Sequence, residues 1–214
     1  MSLAHAEVNT ARLLEKVIDA VPDFDLIEIE GDAAFLARGA DTLDSDATVD
    51  LTLRAAMAMH REFHLERHYV ATNLCPCASC SQADNLKLKF VAHIGEAATQ
   101  TIRQRRKLVG IDVILVHRML KNSVNVPEYL LLSEALYNTS STPIDAPAHE
   151  VAQDLEGIGP VREYFVDVAD LPGSLPPLPN PSLLERFGRT LAVAGSGMPQ
   201  MLGLRRRRRT ASVS

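Results

Sequence analysis

The chain has 214 residues, 46% of them hydrophobic and 23% charged, which suits one folded domain with a sizeable core. No apolar run approaches the roughly 18 residues that span a bilayer, and no basic start followed by an apolar stretch marks a secretion signal. The net charge of −5 includes five consecutive arginines at 205–209, so the rest carries about −10, which argues against broad nucleic-acid binding. We therefore expect a cytoplasmic protein.

The first half of the chain alternates helical and strand patterns. Apolar residues at helical spacing predict a helix over residues 4–21. Two short apolar-rich runs, 25–30 and 33–38, flank a Gly-Asp pair, and a two-residue loop that begins with Gly predicts a hairpin. A polar connection over 41–50 precedes a long helix at 49–67.

The second half continues the mixture of strands and helices. Alternating apolar residues predict a strand over 86–94, onto which we expect residues 97–103 to pair back. The later predicted elements are a helix at 111–122, a strand at 129–132, a helical turn at 133–137 and a strand at 162–168. Strands, helices and two hairpins in this order favour an α+β sheet over a doubly wound parallel sheet.

The C-terminal part differs in composition from the body, so we divide the chain into a domain at 1–170 and a tail at 171–214. The tail is rich in proline and arginine, and we expect it to be largely disordered except for a short helix at 182–194 capped by Ser182. The arginine run is interpreted as a solvated tail. A contact with an anionic membrane surface or with nucleic acid is the sharper alternative.

Three cysteines share one short segment, CPCASC, at positions 75–80: Cys75, Cys77 and Cys80. Three thiolates at this spacing can converge on one zinc ion, and zinc takes four ligands. His68 is the best fourth candidate, with His64 and His60 further back on the same helix. A redox role and unliganded thiols remain open alternatives.

Three stretches in this order resemble class III adenylate/guanylate cyclase domains: EIEGDAAFLA, LKLKFVAHIGEA and KLVGIDVILVHRMLKN. Together with CPCASC and YLLLSEAL they resemble a family of uncharacterised cyclase-like proteins, over about residues 3–168. The resemblance implies a ferredoxin-like α/β sandwich like the class III cyclase core, and a homodimer. It also implies that the first strand is lacking, because no Asp-x-x-Gly-Phe/Tyr-Thr element precedes the hairpin.

The resemblance assigns roles to particular residues. Asp32 corresponds to a ligand of the catalytic Mg or Mn ion that accompanies the nucleoside triphosphate, and Arg118 to the catalytic phosphate-binding arginine. The base-recognising lysine and its aspartate partner are replaced by Glu28 and Lys107, and the ribose-binding asparagine by Ile114. Other interpretations stay open, since Asp32 also suits a hairpin turn and Arg118 a surface salt bridge.

Three functions follow from these features. The first is a non-catalytic or degenerate cyclase-like domain that binds a nucleotide or a signalling partner. The second is an active adenylate/guanylate cyclase whose first strand is missing from this chain. The third is a metal-binding or redox module centred on the cysteines. Cyclisation uses two metal ions held by two carboxylates, and Asp32 is the one metal carboxylate that the resemblance identifies. The sequence therefore leaves both an enzyme and a non-catalytic domain open.

Overall fold

A computed structural model describes residues 2–173, 175, 177, 178 and 180–201. The chain forms two compact units. Within the described residues, one unit contains the chain up to Glu15, the segment His64–Leu86 and the part from Pro177 onward. The other unit contains Lys16–Phe63 and residues 87–175.

The secondary structure mixes helices and strands throughout. The α-helices are α1 (Ser2–Asp19), α2 (Ser45–Ala71), α3 (Ala78–Ser81), α4 (Ile111–Met119), α5 (Glu134–Tyr137) and α6 (Leu183–Met201). The strands are β1 (Asp25–Glu30), β2 (Ala33–Ala37), β3 (Phe90–Ala92), β4 (Ala98–Ile102), β5 (Arg105–Val109), β6 (Tyr129–Ser133), β7 (Ala148–Leu155) and β8 (Gly159–Asp167). Short 3-10 helices lie at Ala83–Asn85 and Val168–Asp170. This arrangement confirms the predicted α+β class.

The main sheet of the larger unit has the strand order β3-β6-β8-β7. Strand β3 runs parallel to β6, and the other neighbours are antiparallel. Alternate residues of β6 enter two different apolar clusters: Leu130 and Leu132 pack with α2 residues, whereas Leu131 packs with Met119 at the end of α4. Strand β6 is therefore buried on both faces, which explains why it reads as a continuous apolar run instead of an alternating one.

The predicted hairpin is present as β1 and β2, an antiparallel pair that forms a sheet of its own. Gly31 in the turn has a φ of +65°, a left-handed conformation that glycine adopts without a steric penalty. In the described part of the chain no strand precedes β1, and helix α1 occupies that position. The described residues thus hold no counterpart of the first strand of the cyclase core, as the sequence indicated.

Several predicted elements differ in extent or pairing. Strand β4 pairs forward with β5 through Arg103 and Gln104, both of which have positive φ angles. The expected pairing of residues 97–103 back onto 86–94 is therefore wrong, because every residue of β4 is exposed and the turn that follows it contains no glycine. The predicted strand at 86–94 is reduced to β3. Strand β7 was missed, since most of its residues are exposed or half-buried.

The long second helix begins earlier than predicted. Helix α2 starts at Ser45, inside the expected polar connection, because the Asp44 carboxylate accepts a hydrogen bond from the backbone N–H of Ala47 at 2.7 Å. An acidic cap satisfies amide groups that have no partner in the first helical turn, so a polar stretch that ends in Asp can open a helix.

Helix α6 lies within the predicted tail and is longer than the expected helix at 182–194. Ser182 and Glu185 form a capping box, in which each side chain accepts a hydrogen bond from the other's backbone N–H. The arginine run at 205–209 lies outside the described residues, and the division into a domain at 1–170 and a tail at 171–214 stays a prediction. No helix among the described residues is long and apolar enough to cross a membrane.

Candidate functional site

The two residues with expected nucleotide roles lie in the larger unit. Asp32 is exposed in the turn between β1 and β2. Arg118 lies in the last turn of α4, and its guanidinium donates a hydrogen bond to the Glu156 carboxylate at 2.7 Å. The Glu156 side chain is 88% exposed, so this ion pair lies at the surface, where such pairs contribute about 0–1 kcal/mol.

The residues at the base-recognition positions pair with each other. The ammonium group of Lys107 on β5 lies 3.0 Å from both carboxylate oxygens of Glu28 on β1. Ile114, at the position of the ribose-binding asparagine, is half exposed on α4. The resemblance predicts a positive charge at position 28 and a negative charge at position 107. This chain has the two charges exchanged, and they still form a polar pair.

A double-mutant cycle on Glu28 and Lys107 checks this pair. We expect a coupling of about 0.5–1 kcal/mol in the free energy of unfolding, because both side chains are partly exposed and the contact involves two oxygens. Exchange of the two residues, Glu28→Lys with Lys107→Glu, should recover most of the stability that either single reversal loses. Urea unfolding measures all four proteins. A coupling energy of zero would contradict a structural ion pair.

A histidine links β3 to β6 and α4 beside a cavity of the larger unit. His93 Nδ1 lies 2.8 Å from Ser133 Oγ, and His93 Nε2 lies 3.2 Å from an Asp112 carboxylate oxygen. A Cβ on Gly95 would lie only 2.4 Å from the Asp112 carboxyl carbon, so glycine is required for this close approach. This group could not be recognised from the sequence, because His93, Asp112 and Ser133 are separated by about 20 residues along the chain.

The adjoining cavity has a volume of about 660 Å³ and contains one buried carboxylate. Glu163 on β8 is 1% exposed, and Gln153 on β7 donates a hydrogen bond to its Oε2. Its Oε1 is buried and has no hydrogen-bond partner among the described residues. Burial raises the pKa of Glu163 above its ordinary value, and the hydrogen bond from Gln153 offsets only part of that rise.

The pH dependence of stability tests the state of Glu163. A carboxyl whose pKa is raised in the folded protein stabilises the fold at low pH, and this contribution is lost as the pH rises from the unfolded value of 4.5 through the folded value. We expect wild-type protein to lose stability relative to Glu163→Gln over that interval. Urea unfolding at several pH values measures the difference. A difference that does not depend on pH would contradict the raised pKa.

The smaller unit brings three cysteines and a histidine together. The four groups are Cys75, Cys77, Cys80 and His5, and their sulfur and nitrogen atoms all lie within 4.8 Å of one another. His5 Nδ1 is 3.3 Å from the sulfur of Cys77 and 3.4 Å from that of Cys75. His5 and Cys80 are buried, the other two cysteines are half-buried, and all three thiols are free.

The two half-buried cysteines, Cys75 and Cys77, have thiol pKa values that are shifted in opposite directions. Burial raises the pKa of the Cys75 thiol to about 11. Burial also acts to raise the pKa of Cys77, but hydrogen bonds from the Cys80 backbone N–H and from the side chains of His5, Cys75 and Cys80 outweigh it. The pKa of Cys77 is therefore lowered to about 6.

The residue that joins the cysteines is not the one that the sequence indicated. His68 lies near the C-terminal end of α2, half-buried, and it is not a member of the group. His5 lies on α1, some 70 residues before the cysteines. Spacing along the chain could not identify it, because only tertiary packing brings α1 to this segment.

Comparison with known proteins places these features in a family. Residues 10–129 match the family described as "Protein of unknown function (DUF2652)". An uncharacterized protein of Mycobacterium tuberculosis (strain ATCC 25618 / H37Rv), Rv2561/Rv2562, is 36% identical over 200 residues, which cover 92% of this chain and 90% of that protein.

Solved structures with a similar fold are nucleotide cyclases. The guanylyl cyclase Cya2 has a TM-score of 0.56 at 14% identity, over 78% of this chain and 82% of that one. A bacterial light-regulated adenylyl cyclase has a TM-score of 0.55 at 11% identity, over 92% of this chain and 52% of that one. The catalytic core of a rhodopsin-guanylyl cyclase in complex with ATPαS has a TM-score of 0.51 at 14% identity, over 78% of this chain and 84% of that one.

Identities this low establish a shared fold and leave activity undecided. The α+β core with its β1–β2 hairpin, the strand β3 and the helix α4 agrees with the cyclase resemblance of the sequence. The family match over residues 10–129 and the 36% identical mycobacterial relative together establish the family of this chain. The chain belongs to the DUF2652 family, and its core has the fold of adenylyl and guanylyl cyclase domains.

Proposed function

We propose that this chain is a degenerate cyclase-like domain that binds a nucleoside triphosphate with a divalent metal ion and does not cyclise it. The observation that carries the proposal is the ion pair between Glu28 and Lys107. The cyclase pattern has a lysine and an aspartate at these two base-recognition positions, so this chain has the opposite charge at each of them. Asp32 and Arg118 keep the residue types that contact metal and phosphate in that pattern.

The number of carboxylates at the metal position argues against cyclisation. The reaction requires two metal ions held by carboxylates, so that the 3′-hydroxyl is activated and the triphosphate charge is neutralised. Asp32 supplies one carboxylate at the hairpin turn. Among the described residues no strand before β1 supplies the second, and one carboxylate rarely holds two catalytic metals.

The Arg118 side chain is compatible with phosphate binding. Its partner Glu156 is almost fully exposed, so the ion pair is weak and a triphosphate can compete for the guanidinium. Arginine favours phosphate because its planar donors match two oxygens at once. Mg²⁺ or Mn²⁺ would bind through Asp32 and the phosphates. The positive charge of the ion would offset the acidic character of the chain.

Calorimetric titration of ATP and GTP with Mg²⁺ or Mn²⁺ tests the proposal on the full chain, with a parallel assay for cyclic nucleotide. We expect binding without product. Asp32→Ala should abolish metal-dependent binding, whereas Asp145→Ala, which removes another exposed carboxylate of the larger unit, should leave it unchanged. Arg118→Gln should weaken binding with or without metal.

Other outcomes point to the alternatives. Cyclic product from wild-type protein would overturn the proposal in favour of an active cyclase. No binding of either nucleotide would overturn it in favour of a domain that contacts a protein partner. The cyclase resemblance also implies a homodimer, and sedimentation equilibrium with and without nucleotide checks that assembly.

A further inference from the structure

The cysteine group of the smaller unit has the donor set and spacing of a tetrahedral metal site. With metal–sulfur distances of about 2.3 Å and metal–nitrogen distances of about 2.0 Å, neighbouring ligand atoms lie about 3.5–3.8 Å apart. The two nitrogen–sulfur distances at His5 are 3.3 and 3.4 Å, and no pair in the group exceeds 4.8 Å. Small side-chain adjustments would therefore suffice to complete a tetrahedron.

The backbone around the cysteines holds them in place. Cys77 precedes the short helix α3, and its carbonyl accepts hydrogen bonds from the N–H groups of Cys80 and Ser81. The side chain of Asn73 accepts a hydrogen bond from the Cys75 N–H at 2.7 Å and donates one to the Val70 carbonyl. The sulfur atoms converge because these turns fix the path of the chain.

A buried amide supports one of the sulfur atoms. Asn9 lies one turn after His5 on α1 and is 4% exposed. Its Nδ2 is 3.6 Å from the sulfur of Cys80 and 3.2 Å from the hydroxyl of Ser79. A donor that approaches a ligating sulfur stabilises the negative charge of a thiolate, as outer-shell groups do at metal centres.

We infer that His5, Cys75, Cys77 and Cys80 form a structural zinc site. Three thiolates and one imidazole are a donor set that zinc prefers, and four protein ligands leave no open position for a substrate. All three sulfurs bind as thiolates, any proton still on a thiol passes to solvent, His5 binds through Nδ1 as neutral imidazole, and no electron is transferred. All four residues lie in the smaller unit, so the ligand set shares no residue with the proposed nucleotide site in the larger unit.

Metal analysis of the purified full chain and of chelator-treated protein refilled with Zn²⁺ or Co²⁺ tests the site. We expect one ion per chain, and we expect Co²⁺ to give the visible absorption bands of tetrahedral thiolate coordination. His5→Gln should weaken metal binding by at least about tenfold, and Asn9→Ala by about 10–100-fold. His68→Gln is the matched control and should bind as wild type does.

The inference has clear contrary outcomes. It is overturned if wild-type protein refilled under reducing conditions binds no ion, or if His68→Gln loses metal while His5→Gln keeps it. It is also overturned if the cysteines form a disulfide and thiol titration finds one free thiol. Because the first readout uses wild-type protein, a variant that fails to fold does not leave the result undecided.

Discussion

Removal of zinc is expected to increase amide hydrogen exchange in the segment that carries the cysteines, at residues 75–86. This segment contains only a four-residue helix and a three-residue 3-10 helix, and its buried apolar cluster is small. Short elements of this kind are marginal alone, so metal binding and local folding are coupled. Hydrogen–deuterium exchange of chelator-treated and Zn²⁺-refilled protein measures the difference.

The expected size follows from mass action. With free zinc at 100 times its Kd, a bound ion stabilises the folded segment by about 2.7 kcal/mol, which slows exchange by about 100-fold. The amides of β6 in the larger unit serve as an internal control, and their exchange should not change. Equal exchange of the cysteine segment with and without zinc would contradict a structural role for the ion.

The fold was predictable where the apolar pattern or the turn chemistry is distinctive. The β1–β2 hairpin was correct in position because Gly-Asp specifies a tight turn between two apolar-rich runs. The β4–β5 ribbon was not, because Arg103 and Gln104 adopt positive φ angles that their residue types do not suggest. Propensity is a weak guide where tertiary context determines the turn.

The candidate sites show a similar division. The resemblance paired Glu28 with Lys107 although they are 79 residues apart, and the structure brings the two charges together. The sequence also grouped the three cysteines, because their spacing is local. It indicated His68 because a nearby histidine is visible along the chain, whereas His5 lies on another helix and joins the cysteines only through packing. Asp112, His93 and Ser133 were missed for the same reason.

Replacement of Leu131 by Ala is expected to lower the free energy of unfolding by about 2–5 kcal/mol. Leu131 is fully buried at the centre of β6, where it packs with Met119, Tyr129 and Leu155. Truncation removes apolar contacts on one face of a strand that is packed on both faces, and the rigid sheet can close the resulting cavity only in part. Urea unfolding followed by far-ultraviolet circular dichroism measures the loss.

Leu26→Ala is the matched control for this change, because Leu26 is also a strand leucine but is 44% exposed. Its truncation should cost less than about 1 kcal/mol. Strand β6 also carries Ser133, whose hydroxyl lies 2.8 Å from His93, so a loosened β6 should disturb the environment of that imidazole. Comparable losses for the two variants would contradict a central, doubly packed β6. A large loss for Leu131 alone would show that the buried strand of the cyclase-like core determines the stability of the larger unit.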